Sequence, residues 1–384
     1  MNTTFPRSNV PRAPGAGLRP LAVRWLVVLA ALALGGAALA QDATPDVADL
    51  MRDGDFYYAQ GDCALAQYFF QEALKRDEAH VPALIGKGRA LACQVAYGSA
   101  IEAFREAIER EPDSVPARVQ LALAYQQQFL TDPATFAGRL GEALDVLTRA
   151  EQLAPGDPTV QNTKGIVYYE AGQLDQARAT LERAVELAAT AELSERERSV
   201  VQVNLGKTYR DLGELELAQS SFRRAVVLNP TSATAHNDLG NVAYRLGDCA
   251  TAEYELSQAV ALAPDSLSAV SQLAIVLFEC GDVAGSVPRF ERALTLDGAI
   301  FAPPLYTYLA RAYLEQGRVD DAVRRAQQGA LLPPESAEAH YVLGTAYLAR
   351  ASASDAAAAR REFERALELD PGYGAARTAL DALN

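Results

Sequence analysis

The sequence contains few residues of the kinds that build metal and catalytic sites. Its 384 residues include four cysteines, three histidines and one tryptophan. There is no Cys-x-x-Cys pair, and His80, His236 and His340 are far apart without a His-x-x-x-His spacing. Gly206-Lys207-Thr208 resembles the end of a phosphate-binding loop, but Val201 stands where its first glycine is required, and no Gly-x-Ser-x-Gly motif occurs. We therefore predict a protein that is not an enzyme and that binds no metal and no cofactor.

Positive charge is scarcer than negative charge. Lysine and arginine total 35 against 49 aspartate and glutamate residues, giving a net charge of −14. Such a chain repels phosphate backbones and anionic lipid surfaces, so nucleic acid is not expected as a partner. With 49% hydrophobic residues the chain can bury a core, which excludes a disordered protein.

Acidic residues are absent from the first 40 positions, which carry four arginines and an uncharged run that closes on Ala38-Leu39-Ala40. The strongly apolar part, residues 25–34, is shorter than the ~20 residues that a membrane span needs. We predict a signal peptide over 1–40 and a short linker over 41–46. Removing those four arginines leaves 31 basic residues against 49 acidic ones, a net charge of about −18.

Export to the periplasm or cell envelope, or secretion, follows from that assignment. The alternative is an uncleaved N-terminal anchor, because residues 25–41 are uncharged throughout. Membrane contact would then be made by this segment only.

The remaining sequence repeats with a period of 34 residues. The segment Gly206-Lys207-Thr208-Tyr209-Arg210-Asp211-Leu212-Gly213 aligns with Gly240-Asn241-Val242-Ala243-Tyr244-Arg245-Leu246-Gly247. Nine units follow in one phase: 47–80, 81–114, 115–157, 158–198, 199–232, 233–266, 267–302, 303–336 and 337–373.

Small and bulky residues occupy fixed positions in these units. The eighth position is Gly or Ala in all nine, the twentieth is Ala or Ser, and the twenty-seventh is Ala or Gly. The twenty-fourth position is Phe or Leu in eight units. Glycine recurs between the two halves of a unit and proline near its end. Each unit is therefore predicted to form two amphipathic helices that pack closely where the small residues lie.

This order of small, bulky and proline positions resembles the tetratricopeptide repeat family. The resemblance covers residues 47–373. It implies an all-α fold, a right-handed α-solenoid or superhelix of helix-turn-helix units with a concave inner face. Residues 374–384 are predicted to be a C-terminal cap helix that covers the open end of the array and presents a polar face to water.

Three units depart from the period. The third carries nine extra residues, which predict an apolar loop between its helices at 129–136. The fourth is seven residues too long, and 193–198 is interpreted as an extended or broken second helix. In the seventh unit Pro288 predicts a second helix that starts late, with Ser286 as its N-cap.

The cysteines fall in matching repeat positions. Cys63 and Cys249 lie at the start of a second helix, and Cys93 and Cys280 lie near the end of the next first helix. Because these two helix ends are neighbours in a stacked array, we expect disulfides Cys63–Cys93 and Cys249–Cys280 in an exported protein. The alternative is four buried free thiols.

The resemblance to the repeat family also implies where a partner binds. The family lines its inner wall with the second, fifth, sixth, ninth, twelfth and thirteenth positions of each first helix. The fourth to sixth units are rich in polar groups there, and neighbouring units are poorer. The candidate groove residues are Asn162, Tyr169, Asn204, Lys207, Arg210, Asn237, Asn241, Tyr244 and Arg245. Ordinary solvated helix positions are the alternative interpretation.

The predicted function is an exported scaffold that binds a peptide or protein in this groove, within a cell-envelope assembly. The asparagines suit an extended backbone, and the three cations favour an acidic segment or a free C-terminus. The alternative is an accessory or recruiting module for an envelope enzyme or polysaccharide secretion or modification system, with a carbohydrate ligand. Tyr57, Tyr58, Tyr168, Tyr169 and Tyr244 leave that alternative open, since aromatic rings stack on sugars.

Overall fold

The computed structural model describes residues 45–296, 298, 302–333, 335–352 and 354–383. These residues form nineteen α-helices and no strand, which confirms the predicted all-α solenoid class. The predicted signal peptide and most of the linker lie outside the described residues. Among the described residues, no helix combines the length and apolar character needed to cross a membrane.

The chain divides into two compact bodies. The N-terminal body ends at Pro155 and consists of three helical hairpins, in which each helix packs against the next. Its helices are α1 Val47–Ala59, α2 Cys63–Arg76, α3 Val81–Cys93, α4 Tyr97–Arg110, α5 Val115–Thr131 and α6 Arg139–Leu153.

The C-terminal body begins at Gly156 and contains six hairpins and a final helix, again with each helix packed on the next. Its helices are α7 Pro158–Glu170, α8 Leu174–Ala188, α9 Glu195–Leu212, α10 Leu215–Leu228, α11 Ala233–Arg245, α12 Cys249–Leu262, α13 Leu267–Glu279, α14 Val283–Ala293, α15 Pro303–Glu315, α16 Val319–Ala330, α17 Ala337–Arg350, α18 Asp355–Leu369 and α19 Gly374–Asp381.

Glycine on a first helix faces a fully buried ring or branched side chain on its own second helix. A Cβ atom added to Gly206 would lie 2.7 Å from Cε1 of Phe222, and one added to Gly240 would lie 2.7 Å from Cγ of Leu256. Such distances are too short for real contacts, so a larger residue would force the helices apart. The same relation holds in both bodies for Gly54 with Phe70, Gly88 with Phe104, Gly165 with Leu181 and Gly344 with Phe363.

Tight turns join the two helices of most hairpins. Six turn glycines have φ between 71° and 94°, a left-handed conformation that costs glycine little: Gly61, Gly172, Gly213, Gly247, Gly281 and Gly317. Asp62, Asp248 and Asp282 then cap the following helix through a backbone N–H three residues on.

The second helix of the seventh hairpin does not start late, so that prediction is wrong. Helix α14 begins at Val283, because Asp282 accepts a hydrogen bond of 2.8 Å from the Gly285 N–H. Pro288 lies inside the helix, where it removes one backbone donor, and Ser286 is buried rather than capping. The burial of Val287 and Phe290 offsets that loss.

Residues 195–198 do not extend a second helix either. Ser194 and Glu197 form a capping box that starts α9, so the extra turn belongs to the following first helix. The prediction for the long third unit holds in part, since residues 132–136 lie in the loop between its helices. Helix α5 continues to Thr131, which places Phe129 in the helix and Phe136 in the loop after it, with both rings half-buried.

Both predicted cysteine pairs lie at disulfide distance. The Cα atoms are 6.1 Å apart for Cys63 and Cys93 and 6.0 Å apart for Cys249 and Cys280. Each pair joins the start of a second helix to the end of the next first helix, and each lies within one body. The pairing follows from the repeat phase, which brings these two helix ends together.

Candidate functional site

The first helices of the C-terminal body form one continuous face, which we call the inner face. Besides its own hairpin partner, each of these helices contacts the next first helix: α7 contacts α9, then α11, α13, α15 and α17 follow in turn. Successive hairpins therefore meet through the second helix of one and the first helix of the next, and also directly through their first helices. All nine candidate groove residues lie on α7, α9 and α11.

Side-chain amides form a row across this face, which we call the amide row. Asn204 donates a hydrogen bond of 2.9 Å to Asn162, from α9 to α7. Asn241 donates one of 3.3 Å to Gln272, from α11 to α13. Asn237 lies on α11 as well, and its Oδ1 is buried without a hydrogen-bond partner among the described residues. A primary amide offers two donors and two acceptor lone pairs, so the four paired residues keep hydrogen-bonding capacity for a ligand.

The predicted cations of the groove are arranged around carboxylates. Lys207 Nζ lies 3.9 Å from Asp238 Oδ2, and an Arg210 guanidinium nitrogen lies 3.7 Å from Asp238 Oδ1. Arg210 Nε also donates a hydrogen bond of 2.8 Å to Asp211, which accepts another from the Tyr169 hydroxyl. We call these five residues the charged network. Two of the three predicted cations are therefore largely neutralised within the chain.

Asp238 is the buried centre of the charged network. Its exposed fraction is 7%, and its Oδ2 has no hydrogen-bond partner within the part of the chain that the structure describes. Burial raises the pKa of Asp238, while Lys207 and Arg210 act in the opposite direction. The two cations on α9 thus partly compensate the burial of this carboxylate on α11.

The last two groove residues lie at the end of α11. Tyr244 is half-buried, and burial together with the Glu279 carboxylate raises its pKa. Arg245 is exposed. Neither joins the charged network.

The inner face continues into a pocket that the sequence analysis missed. An open pocket of about 370 Å³ lies between α15 and α17, and Tyr373 closes one side. Its lining residues are Arg311, Leu314, Glu315, Glu338, Tyr341, Val342, Thr345 and Tyr373. All but Tyr373 occupy the same repeat positions that gave the candidate groove. They were passed over because these units carry tyrosine and glutamate there instead of asparagine and lysine.

Arg311 is held beside this pocket by rings and carboxylates. Its guanidinium carbon lies 4.9 Å from the centre of the Phe278 ring and 5.2 Å from that of Tyr308. One of its guanidinium nitrogens lies 3.5 Å from a carboxylate oxygen of Glu279 and 3.6 Å from one of Glu338. Burial and these two carboxylates raise the pKa of Tyr308 to about 12.

Three of the five tyrosines considered for sugar stacking have an aromatic ring or a cationic side chain of this protein close to their own ring. In the N-terminal body, Tyr57 stacks on Phe69 with ring centres 5.3 Å apart, and Arg89 lies 4.2 Å from the centre of the Tyr58 ring. In the C-terminal body, Lys164 lies 5.9 Å from the centre of the Tyr168 ring. These contacts favour packing over sugar binding.

The three histidines have structural hydrogen bonds. His80 accepts one of 3.2 Å from the Ala83 N–H at the start of α3. His236 lies 2.6 Å from Glu255, and His340 lies 2.7 Å from Glu362, each joining the two helices of one hairpin. Within the described part of the chain, no three His, Cys, Asp or Glu side chains cluster in a way that could hold a metal ion.

Known proteins share the repeat that builds this face. A tetratricopeptide repeat model matches residues 51–116, 97–158, 203–267 and 308–374, and a second tetratricopeptide repeat model matches 157–228. The chain belongs to the tetratricopeptide repeat family. This fold typically serves as a non-catalytic scaffold that binds peptides or proteins.

One curated relative of this tetratricopeptide repeat protein matches it over a short stretch. This chain is 30% identical to the CTR9 homolog of Arabidopsis thaliana over 115 residues, which span 29% of this chain and 10% of that protein. This chain therefore spans about a tenth of the curated relative that it matches.

Solved structures show the same fold. A chain of the APC/C hetero-tetramer Cut9–Hcn1 is 16% identical, with 86% of this chain and 64% of that chain covered and a TM-score of 0.55. The human IFIT1 dimer with m7Gppp-AAAA is also 16% identical, with 84% and 81% covered and a TM-score of 0.51. At these identities the likeness concerns the fold alone.

Proposed function

We propose that this tetratricopeptide repeat protein is a non-enzymatic scaffold that binds an extended segment of a protein partner along the inner face of its C-terminal body. The amide row is the observation that carries the proposal. Asn162, Asn204, Asn241 and Gln272 are half-buried, already oriented by each other, and retain donors and acceptors. An extended peptide backbone offers N–H and C=O groups that such amides can bind whatever the side chains of the peptide are.

The charged network supports recognition of a backbone better than recognition of an acidic segment or free C-terminus. Lys207 and Arg210 already face Asp238 and Asp211, and only Arg245 of the three predicted cations is exposed. A ligand carboxylate would have to compete with carboxylates that are part of the fold.

We further propose that the scaffold works outside the cytoplasm, within a cell-envelope assembly. Two cysteine pairs at disulfide distance support this, because disulfides persist mainly in oxidising compartments. The basic, apolar N-terminal sequence supports it as well.

A combined variant tests the groove. Asn162→Ala, Asn204→Ala, Asn241→Ala and Gln272→Ala together should weaken partner capture from envelope extract at least about tenfold, because several hydrogen bonds are lost. Helicity by circular dichroism should stay unchanged. The matched control carries Gln219→Ala, Ser220→Ala, Arg223→Ala and Arg224→Ala on α10, outside the inner face, and should capture normally.

Two results would contradict the proposal. One is full capture by the groove variant together with loss of capture by Phe129→Ala and Phe136→Ala, which would place the site at the loop after α5. The other is loss of wild-type capture when soluble envelope polysaccharide is added as competitor, which would favour the carbohydrate alternative.

A further inference from the structure

The pocket between α15 and α17 has the composition of a site for a positively charged side chain. Glu315 and Glu338 are exposed at it, and Tyr341 and Tyr373 form one corner with ring centres 5.4 Å apart. Leu314 and Val342 supply apolar surface. Carboxylates attract a cation, tyrosine faces attract it through their π electrons, and an aliphatic stem needs apolar surface.

The charge balance around the pocket is negative. Arg311 is the one cation among the described residues that line it, and its guanidinium lies 3.5 and 3.6 Å from Glu279 and Glu338. Glu315 is exposed and forms no ion pair with any residue that the structure describes. Two carboxylates, Glu315 and Glu338, and one guanidinium therefore line the pocket, and Glu279 offsets part of the guanidinium charge from outside it, which leaves room for a second positive charge and disfavours an anion.

Arg311 also shows that this face can hold a guanidinium. Its contacts are two rings, Phe278 and Tyr308, and two carboxylates, Glu279 and Glu338. The pocket repeats that chemistry one helix further along, with Tyr341 and Tyr373 as the rings and Glu315 and Glu338 as the carboxylates. Arginine suits such a site better than lysine, because its planar group stacks on rings and forms paired hydrogen bonds.

We propose that the pocket formed by Glu315, Glu338, Tyr341 and Tyr373 binds an arginine side chain of the partner segment. The proposal rests on the proposed function, since it names one side chain of the segment that the inner face binds. This pocket would add sequence specificity to the amide row, which binds only the backbone of the partner segment.

The test uses the full chain labelled with 3-fluorotyrosine and observed by ¹⁹F NMR. Tyr341→Phe and Tyr373→Phe variants identify the two resonances by their loss. Acetyl-arginine methylamide is titrated as the probe, and acetyl-citrulline methylamide serves as an uncharged control of the same shape. The arginine probe should shift both resonances saturably in the millimolar range, as expected for a ligand of this size, and citrulline should not.

Variants that remove a carboxylate charge test whether the arginine probe binds at Glu315 and Glu338. Glu315→Gln with Glu338→Gln should weaken the arginine probe about tenfold, since each removes a charge-assisted hydrogen bond. Glu315→Gln alone avoids any disturbance of Arg311, and it should weaken binding of the arginine probe several-fold. Glu216→Gln, an exposed residue on α10, should change nothing.

Three results would overturn the proposal: no saturable shift with arginine, equal shifts with citrulline, or equal shifts with a neutral oligosaccharide, which would indicate a sugar site. The groove variant of the amide row should still bind the arginine probe. The two experiments therefore distinguish failure of the arginine-pocket proposal from failure of the scaffold proposal.

Discussion

Replacing Phe222 with alanine should lower the free energy of unfolding of the C-terminal body by about 3–5 kcal/mol. The ring is fully buried on α10 and lies against Gly206 of α9. Neighbouring side chains can fill the vacated space only in part, because the backbone at Gly206 already touches the ring. Urea unfolding followed by far-UV circular dichroism measures the loss, and hydrogen exchange locates it.

The matched control is Val227→Ala on the same helix. Val227 is 78% exposed, so its loss should change stability by less than about 0.5 kcal/mol. The packing account fails if the two variants are equally stable. Gly206→Ala should destabilise as well, whereas Gly98→Ala, where an added Cβ meets nothing within 4 Å, should stabilise slightly.

Removal of the Cys249–Cys280 bridge should cost about 3–4 kcal/mol by the chain-entropy argument, because the two residues are 31 positions apart. Cys249→Ser with Cys280→Ser should lower the urea midpoint and raise hydrogen exchange in α11 to α13. Cys63→Ser with Cys93→Ser serves as the control, with its effect confined to the N-terminal body.

Reductant offers an independent check of both bridges. The wild-type protein should lose stability when reduced, and the double-serine variants should lose correspondingly less. Peptide mapping under non-reducing conditions should recover Cys63 with Cys93 and Cys249 with Cys280. Free thiols in protein taken from an oxidising compartment would contradict the pairing.

Features set by the 34-residue period were predictable from sequence. The fit of Phe222 over Gly206 follows because steric size alone decides which residues two closely packed helices accept. The cysteine pairs followed for a similar reason, since the repeat phase determines which helix ends are neighbours.

Helix starts were less predictable where two local signals compete. Pro288 suggested a late start for α14, but the cap at Asp282 and the burial of Phe290 outweigh one missing hydrogen bond. The start of α9 was readable in principle, since Ser194 followed three residues later by Glu197 is a capping-box pattern.

Pairing across the inner face could not be predicted. Lys207 meets Asp238, and Asn241 meets Gln272, each across 31 positions and between successive hairpins. Whether such residues face each other depends on how far each hairpin rotates against the next. Repeat positions indicate which residues face inward, but they leave open whether a cation there is available or already paired.

Site-specific photo-cross-linking tests most directly whether the inner face holds the partner. The photoreactive residue p-benzoylphenylalanine would replace Asn241 on the inner face, Arg223 on α10 or Phe136 in the loop after α5. We expect a partner cross-link from position 241 and none from positions 223 and 136. Cross-links from 223 or 136 with none from 241 would contradict the assignment of the inner face as the binding surface.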